Sequence, residues 1–258
     1  MGILNRWLGI PELASEHGEL VDHTLEVVHW FMLFLFVFWT AFFFYAIIRF
    51  HHRRSPKAKH AGVTSHFSTH LEVMVCIVEV ILLLGFAYPL WSTRVRSFPV
   101  GDDVAKVRAV GEQFKWTFHY PGPDGKFGRW DADLITPLNP AGIDREDPNA
   151  TDDFFTINDL QLPLGRPCIV QVTSKDVIHG LALNWLRIQQ DAIPGMEIPM
   201  WFVPTKLLDG AEIICAQLCG IGHAQMVAFY SVVEGEEYDK WVAKSSPVKA
   251  PPEVASSK

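Results

Sequence analysis

The segment "CAQLCGIGHAQM", residues 215–226, concentrates metal-binding side chains on one short stretch of chain. Cys215 and Cys219 supply thiolates, His223 supplies an imidazole and Met226 supplies a thioether. Thiolate and imidazole groups bind zinc or copper, whereas a thioether ligand favours copper. The residue types of this segment therefore predict a copper site.

The second cysteine indicates two metal ions instead of one. A mononuclear blue-copper site uses two histidines, one cysteine and a weak axial methionine. Cys215 and Cys219 are four positions apart, and if they approach from opposite sides both thiolates can bridge a pair of copper ions. Each copper ion then still needs a terminal imidazole.

The terminal ligands come from two parts of the chain. His223 offers one imidazole, and His179 offers the other because it follows the predicted strand "CIVQVTS", residues 168–174. A loop at a strand end is where a sandwich presents a side chain to a neighbouring loop. Met226 can fill one axial position, and the backbone carbonyl of Gln217 can fill the other because it lies between the two thiolates.

Two other interpretations of the cysteine pair are open on these residues. A disulfide between Cys215 and Cys219 fits an oxidising compartment. It leaves His179, His223 and Met226 without a role. A zinc site would use the thiolates and imidazoles but would make no use of Met226.

The first hundred residues contain two long apolar runs. Residues 30–48 carry no charge, and residues 73–91 are interrupted only by Glu79. A helix of roughly 20 such residues spans a hydrocarbon core of about 30 Å. We therefore predict two membrane helices that form a hairpin.

The loop between the helices sets the expected orientation. Residues 49–70 contain no acid, and their basic residues other than histidine are Arg49, Arg53, Arg54, Lys57 and Lys59. The positive-inside rule places such a loop in the cytoplasm, so both termini are expected on the outer side. The first 24 residues lack the pattern of a cleavable signal peptide, so we expect the first helix to direct its own insertion.

The remainder of the chain is rich in predicted strands and turns. Alternating residues in "KVRAVGEQFKWTFHY" predict two strands that meet around Gly111, and residues 168–174, 212–218 and 226–234 predict three more. Residues 138–153 lack any period and predict a long exposed excursion. We expect an antiparallel all-β sandwich or barrel.

The expected organisation has four parts: an external segment (1–24), a two-helix transmembrane hairpin (25–95), an all-β domain (101–240) and a disordered tail (241–258). Residues 101–258 carry 22 acidic and 14 basic side chains. This charge does not suit nucleic acid and would attract a basic soluble partner. Simple solubility explains the charge equally well.

The pattern C-x3-C-x3-H-x2-M, joined to "DVIH", to "QDAIPGM" (190–196) and to two N-terminal membrane helices, resembles cytochrome c oxidase subunit II over residues 25–240. The resemblance implies a cupredoxin-like outer domain with a binuclear copper centre, CuA. It implies electron transfer from cytochrome c to the haem of subunit I, where oxygen is reduced to water and protons are translocated. Subunits I and III are the implied partners.

The resemblance also distributes the copper ligands and other site residues. It implies that Cys215 and Cys219 bridge both ions, that His179 and Met226 complete one, and that His223 and the Gln217 carbonyl complete the other. The remaining candidate is Glu72 in "THLEV". It matches a glutamate at the inner entrance of a proton channel, although the residue alone is also an ordinary carboxylate at a membrane boundary.

Two positions depart from the family pattern. "GEQFKW" has Phe114 where the family has its electron-entry tryptophan, and it keeps Trp116, so both aromatics are candidates for electron entry. Gln217 stands where the family often has a glutamate that helps to bind magnesium at the boundary with subunit I. The copper site is unaffected by this change, whereas a magnesium site is not expected.

Two alternative functions are weighed against this one. A quinol oxidase subunit shares the fold but lacks the copper ligands that are intact here. A membrane-tethered copper electron carrier that acts without an oxidase would need neither paired helices nor Glu72. The resemblance implies an integral protein of a bacterial cytoplasmic membrane, in preference to a mitochondrial inner membrane, with the copper domain on the periplasmic side.

Overall fold

A computed structural model describes residues 6–57, 60, 62 and 65–247. The chain divides into two compact units. The first comprises Met1–Ile10 and Leu20–Arg96, and the second comprises Pro11–Glu19 and Ser97–Lys258. Residues 11–17, which directly precede the first long helix, therefore belong to the same unit as the β-rich part.

The first unit contains the two predicted membrane helices. Helix α1 spans Gly18–Phe50, and a second helical segment runs through α2 (Phe67–Leu82), a π-helical turn (Leu83–Ala87) and α3 (Tyr88–Val95). The two segments have 33 and 29 residues. At about 1.5 Å per residue both exceed a hydrocarbon core of about 30 Å. The prediction of two long apolar helices is confirmed, although α1 begins upstream of the expected boundary at residue 25.

The π-helical turn lies directly before Pro89. Proline has no N–H and its ring crowds the carbonyl four residues earlier, here that of Gly85. Widening the turn before the proline lets the helical segment continue through it. The sequence pattern showed an apolar run but gave no sign of this irregularity.

The second unit contains two five-stranded sheets, in the orders β3-β2-β1-β5-β8 and β4-β10-β9-β6-β7. The described strands are β1 Ala105–Glu112, β2 Lys115–Tyr120, β3 Phe154–Ile157, β4 Asp159–Pro163, β5 Cys168–Ser174, β6 His179–Leu183, β7 Ile188–Ala192, β8 Ile198–Phe202, β9 Leu208–Cys215 and β10 Val227–Val233. This two-sheet arrangement confirms the predicted all-β outer domain.

The sheets are mixed, so the expectation of a purely antiparallel sandwich is wrong. Strand β1 runs parallel to β5, and β4 runs parallel to β10. Parallel neighbours need a long connection, and the segments between these strands are long enough to supply it. Alternation along one strand carries no information about the direction of its neighbour, which is why the sequence did not reveal these pairs.

Two strand boundaries also differ from the prediction. Gly111 lies inside β1 and pairs with Trp116, so the turn falls at residues 113 and 114. Strand β9 ends at Cys215, where the chain enters the ligand loop, instead of continuing to residue 218. A glycine inside a strand often marks a close backbone approach, and Gly111 approaches the side chain of His179.

The excursion, residues 138–153, is folded and packs over one of the two sheets. Ala141, Ile143 and Ala150 form a small second core within it. Its last residue, Asp153, is fully buried against His119 of β2. The expectation that residues 138–153 are exposed is therefore wrong, because their polar side chains close local turns and leave the small apolar residues inside.

Both ends of the second unit pack on the sandwich. Ala14 is fully buried, and it exchanges hydrogen bonds of 2.9 Å with Trp185 and Thr205. At the other end, α4 (Gly235–Ser245) buries Tyr238 and Val242. The helix extends past residue 241, where the tail was expected to begin, and residues 248–258 lie outside the described part of the chain.

Candidate metal centre

Adjacent strands bring the predicted ligands to one end of the sandwich. His179 is the first residue of β6, and Cys215 is the last residue of β9. The two strands are neighbours, with Leu181 opposite Cys215. The loop that leaves β9 carries the other ligands and returns as β10, so its side chains lie across from His179.

The donor atoms of all six predicted ligands gather around the two cysteines. The distances are 3.8 Å from Cys215 Sγ to Cys219 Sγ, 3.9 Å from Cys215 Sγ to His179 Nδ1, 3.2 Å from Cys215 Sγ to the Gln217 carbonyl oxygen, 3.6 Å from Cys219 Sγ to His223 Nδ1, and 3.8 Å from Cys219 Sγ to Met226 Sδ. Two ligand atoms about 2.3 Å from one ion are at most about 4.6 Å apart. Each of these pairs is therefore close enough to share an ion.

The cysteines are free thiols in this structure, which does not contain the disulfide considered above. Burial, followed by the hydrogen bond between Cys219 and Cys215, raises the pKa of Cys219 to about 11. The metal-free site therefore holds Cys219 protonated at neutral pH. Because thiolate is the ligand form, metal binding must release this proton.

Asp176 orients the histidine on the β6 side. Its Oδ1 lies 2.8 Å from His179 Nε2, which leaves Nδ1 directed at Cys215. Burial opposes ionisation of Asp176, but hydrogen bonds from the Gln113 N–H, His179 and the Val177 N–H outweigh it and lower the carboxyl pKa. A carboxylate on the far nitrogen fixes the tautomer that a metal-binding histidine needs. The sequence analysis missed this role, although Asp176 stands in the quoted "DVIH".

Trp116 packs inside the domain, next to the same histidine. Its side chain is fully buried, and its ring lies edge-on to His179 with centroids 5.9 Å apart. Trp116 is therefore not an exposed contact, and its part in electron entry stays a prediction. Strand β2 is buried on both faces because the excursion covers the outer one, so alternation along β2 did not separate inside from outside.

Phe114 is half-buried in the turn between β1 and β2 and covers the ligand loop. A Cβ added at Gly222 would lie 2.5 Å from its ring. Only glycine at that position lets the aromatic ring approach so closely. Phe114 is thus the candidate aromatic that remains accessible from outside the domain.

Exposed apolar side chains stand beside the buried ligands. Leu218 is 78% exposed and Ile221 is fully exposed, on either side of Cys219. Together with Phe114 they form an apolar rim at the ligand loop. Exposed apolar groups that cluster at a site are typical of a contact surface, a feature that the sequence analysis did not identify.

The remaining candidate residues lie apart from the cluster or point away from it. Glu72 is exposed on α2, in the helical unit. The side chain of Gln217 is exposed, whereas its carbonyl oxygen faces Cys215. The backbone of Gln217 therefore takes part in the cluster and its side chain does not.

These features define a membrane protein with a β-sandwich domain whose end loops could hold a metal ion. The model of the family "Cytochrome C oxidase subunit II, periplasmic domain" matches residues 105–233. The alternative cytochrome c oxidase subunit 2 of Bradyrhizobium diazoefficiens is 33% identical over 241 residues, which cover 93% of this chain and 84% of the relative. The chain belongs to the cytochrome c oxidase subunit II family.

The chain is also similar to a second relative and to a solved structure. Cytochrome c oxidase subunit 2 of Cereibacter sphaeroides is 28% identical over 244 residues, covering 84% of this chain and 76% of the relative. The crystal structure of the periplasmic domain of subunit II of cytochrome oxidase of Bradyrhizobium japonicum is 30% identical, covers 58% of this chain and 96% of that chain, and has a TM-score of 0.40. The family predicted from the motifs is confirmed, and with it a role as a subunit of a cytochrome c oxidase.

Proposed function

We propose that this chain is the electron-entry subunit of its oxidase and that it holds a binuclear copper centre. The observation that supports the proposal is the convergence of five ligand side chains and one carbonyl oxygen on a single buried cluster. In this proposal Cys215 and Cys219 would be shared by two copper ions. His179 and Met226 would complete the ligands of one ion, and His223 and the Gln217 carbonyl those of the other.

The donor set fits a pair of copper ions better than one ion or zinc. Six donors exceed the four ligands of a tetrahedral zinc site. Two shared thiolates, with one imidazole and one axial donor for each ion, use all six. The thioether of Met226 adds a preference for copper. When bound, such a pair takes up and releases one electron.

The chain's own contribution is to hold the donors in place while the charge of the site changes. His179 and both cysteines are buried. Asp176 and the ring of Trp116 fix the imidazole of His179. A site whose ligands are already positioned needs little rearrangement when an electron arrives, because the surrounding side chains have no free volume to move into.

The electron donor is proposed to be cytochrome c or a similar basic soluble protein. The acidic balance of residues 101–258 favours a basic partner. Phe114 lies against the loop that carries Cys219 and His223, so we propose it as the point of closest approach. Electrons then pass to the haem of subunit I, with Glu72 as an entrance for protons on the inner side. A magnesium ligand is not proposed at Gln217, because its side chain is a neutral amide.

The second compact unit supports a periplasmic location for the copper domain. Residues 11–19 and the sandwich form one unit, and the two long helices join them along the chain. A chain that enters a membrane from one folded unit and returns to it must cross an even number of times. The basic loop between the helices then faces the cytoplasm of a bacterial cell.

Metal analysis and electron paramagnetic resonance of the complex purified from native membranes test this function. We expect two copper ions per chain, a spectrum with hyperfine coupling to two equivalent copper nuclei, and a co-purifying haem subunit. Cys219→Ser should localise the electron on one copper or remove the metal. The matched control is Cys76→Ser, which changes an exposed cysteine of α2 and should leave the spectrum unchanged.

A spectrum of one isolated copper, or stoichiometric zinc, would overturn the binuclear assignment. A two-copper spectrum without any co-purifying haem subunit would instead favour the membrane-tethered copper carrier.

A further inference from the structure

We propose that Gln113, in the turn between β1 and β2, is a positioning residue that ties the histidine side of the metal site to its cysteine loop. The inference rests on the proposed copper centre and adds a residue that donates no ligand to it. Gln113 lies three positions before Trp116, the first buried aromatic residue of β2, and is itself exposed. Its contacts, however, are made with both ligand-bearing loops.

Two hydrogen bonds from Gln113 reach the two sides of the site. Its backbone N–H donates to Asp176 Oδ2 at 2.8 Å. Its side-chain amide donates to the carbonyl oxygen of Cys219 at 2.6 Å. Because the other oxygen of Asp176 contacts His179 at 2.8 Å, a short chain of hydrogen bonds joins His179 to Cys219 through Asp176 and Gln113.

The turn itself is held on the β5 side. The N–H of Lys175 donates to the Gly111 carbonyl at 3.0 Å, and its ammonium group lies 2.9 Å from Glu112. These contacts anchor the turn to the segment that carries Asp176 and His179. The amide of Gln113 can therefore act on the cysteine loop from a fixed base.

Gly220 makes room for this contact. Its φ is +141°, which favours glycine, and a Cβ at this position would lie 2.8 Å from Gln113 Nε2. The ring of Phe114 packs on the same short segment, close to Gly222. The amide of Gln113 and the ring of Phe114, which are neighbours in one turn, thus both pack on the loop after Cys219.

The Cys219 carbonyl marks the point where the chain turns away from a bridging thiolate. Without the Gln113 amide, this carbonyl loses its side-chain donor, and the loop gains freedom next to the sulfur. We expect the two copper ions to become inequivalent and metal to leave faster. Partners that orient metal ligands typically change metal affinity about 10- to 100-fold when they are removed.

The test compares Gln113→Met with wild type in the full complex. Methionine keeps the length of the side chain but cannot donate, and the backbone N–H that holds Asp176 remains. The expected results are copper release to a chelator about 10- to 100-fold faster, unequal copper hyperfine couplings and a shifted reduction potential. Gln113→Asn retains an amide and should recover part of each effect. The matched control, Gln189→Met on the exposed side of β7, should behave as wild type.

Hydrogen exchange in the metal-free protein supplies a readout that does not depend on copper. Amides of residues 219–222 should exchange faster in Gln113→Met, while those of β1 and β2 keep their protection. Wild-type exchange at 219–222 together with unchanged copper release would overturn the inference. Failure of the proposed function is distinct, because the wild-type complex itself would then lack the two-copper spectrum.

Discussion

At the scale of single residues, His119 is a buried group outside the metal site whose charge state the structure defines. The Arg108 guanidinium donates to its Nδ1 at 3.1 Å, and its Nε2 lies 2.7 Å from Asp153 Oδ2. Arginine can only donate, so Nδ1 must be unprotonated and the imidazole neutral. Burial lowers the pKa of His119; Asp153 opposes this effect, whereas Arg108 and Arg145 add to it.

This lowered pKa predicts the sign of a pH effect on stability. The unfolded chain protonates His119 below its ordinary pKa of 6.5, whereas the folded chain resists protonation until lower pH. The contribution of His119 to the stability of the fold is therefore fully present above pH 6.5, and it is lost as the pH drops below that value. Chemical unfolding of the detergent-solubilised chain between pH 5 and 8 should show this decline. His119→Gln should be less stable at pH 8 by about 1–3 kcal/mol, with a flatter dependence.

An exposed histidine provides the control for this experiment. His51→Gln, in the segment after α1, should leave both the stability at pH 8 and its pH dependence as in wild type. An equally steep decline in His119→Gln and in wild type would show that other groups cause it.

The metal-site residues differ in how far the sequence could predict them. Cys215, Cys219, His223 and Met226 share one segment, so their types and spacing were sufficient to indicate copper. Residues that act through others leave no such signal: the role of Asp176 depends on a side-chain orientation. Trp116 lies in the sandwich core with Phe118 and Tyr120, a position that its type and spacing alone did not reveal.

At the scale of elements, the N-terminal segment Pro11–Glu19 is part of the sandwich unit. The Ser15 hydroxyl donates to the Leu186 carbonyl at 2.7 Å, and the Glu16 N–H donates to the Val203 carbonyl at 3.1 Å. Ala14, the residue before Ser15, is fully buried in the core. The outer domain therefore completes its packing with residues that precede the first membrane helix.

Enlarging the buried residue of this segment should destabilise the sandwich. Ala14→Leu inserts a large side chain into a filled space, which costs about 1–3 kcal/mol. Thermal unfolding of the full chain, followed by the β-sheet circular dichroism signal, should show a lower midpoint. Glu16→Leu introduces the same side chain at an exposed position and should change the midpoint little. Equal midpoints for both variants would show that the segment does not contribute to the stability of the unit.

Short local patterns predicted the long helices and five of the ten described strands, but not their assembly. Strands β5 and β10 were recognised from apolar runs. Their parallel pairing with β1 and β4 was not, because it depends on contacts between residues that are distant in the sequence. The same limit explains the excursion. Its turn-forming residues were visible, but the burial of Ile143 depends on a small core that only the folded segment creates.

At the scale of the whole molecule, the connection between the units determines the topology. We propose that the two long helices cross the membrane as a hairpin, because the sandwich unit includes residues 11–19 as well as residues after 97. The family membership indicates that the chain is part of an oxidase, whereas the charge of the loop between the helices predicts its orientation in the membrane. Neither depends on the metal site, so the orientation can be tested separately from copper.

The orientation predicts opposite labelling of two exposed positions in intact cells. In a Cys76→Ser background the other native cysteines are buried, so an introduced cysteine reports its own side of the membrane. Lys126→Cys, exposed on the outer unit, should react with a membrane-impermeant maleimide added to cells whose outer membrane is permeabilised. His52→Cys, exposed in the segment after α1, should react only after lysis. We attribute the cytoplasmic position of that segment to its arginines. Moving these arginines elsewhere in the chain should therefore change which introduced cysteine is labelled. Labelling of His52→Cys but not Lys126→Cys in intact cells would reverse the orientation. Labelling of both would mean that the two helices do not form a hairpin across the membrane.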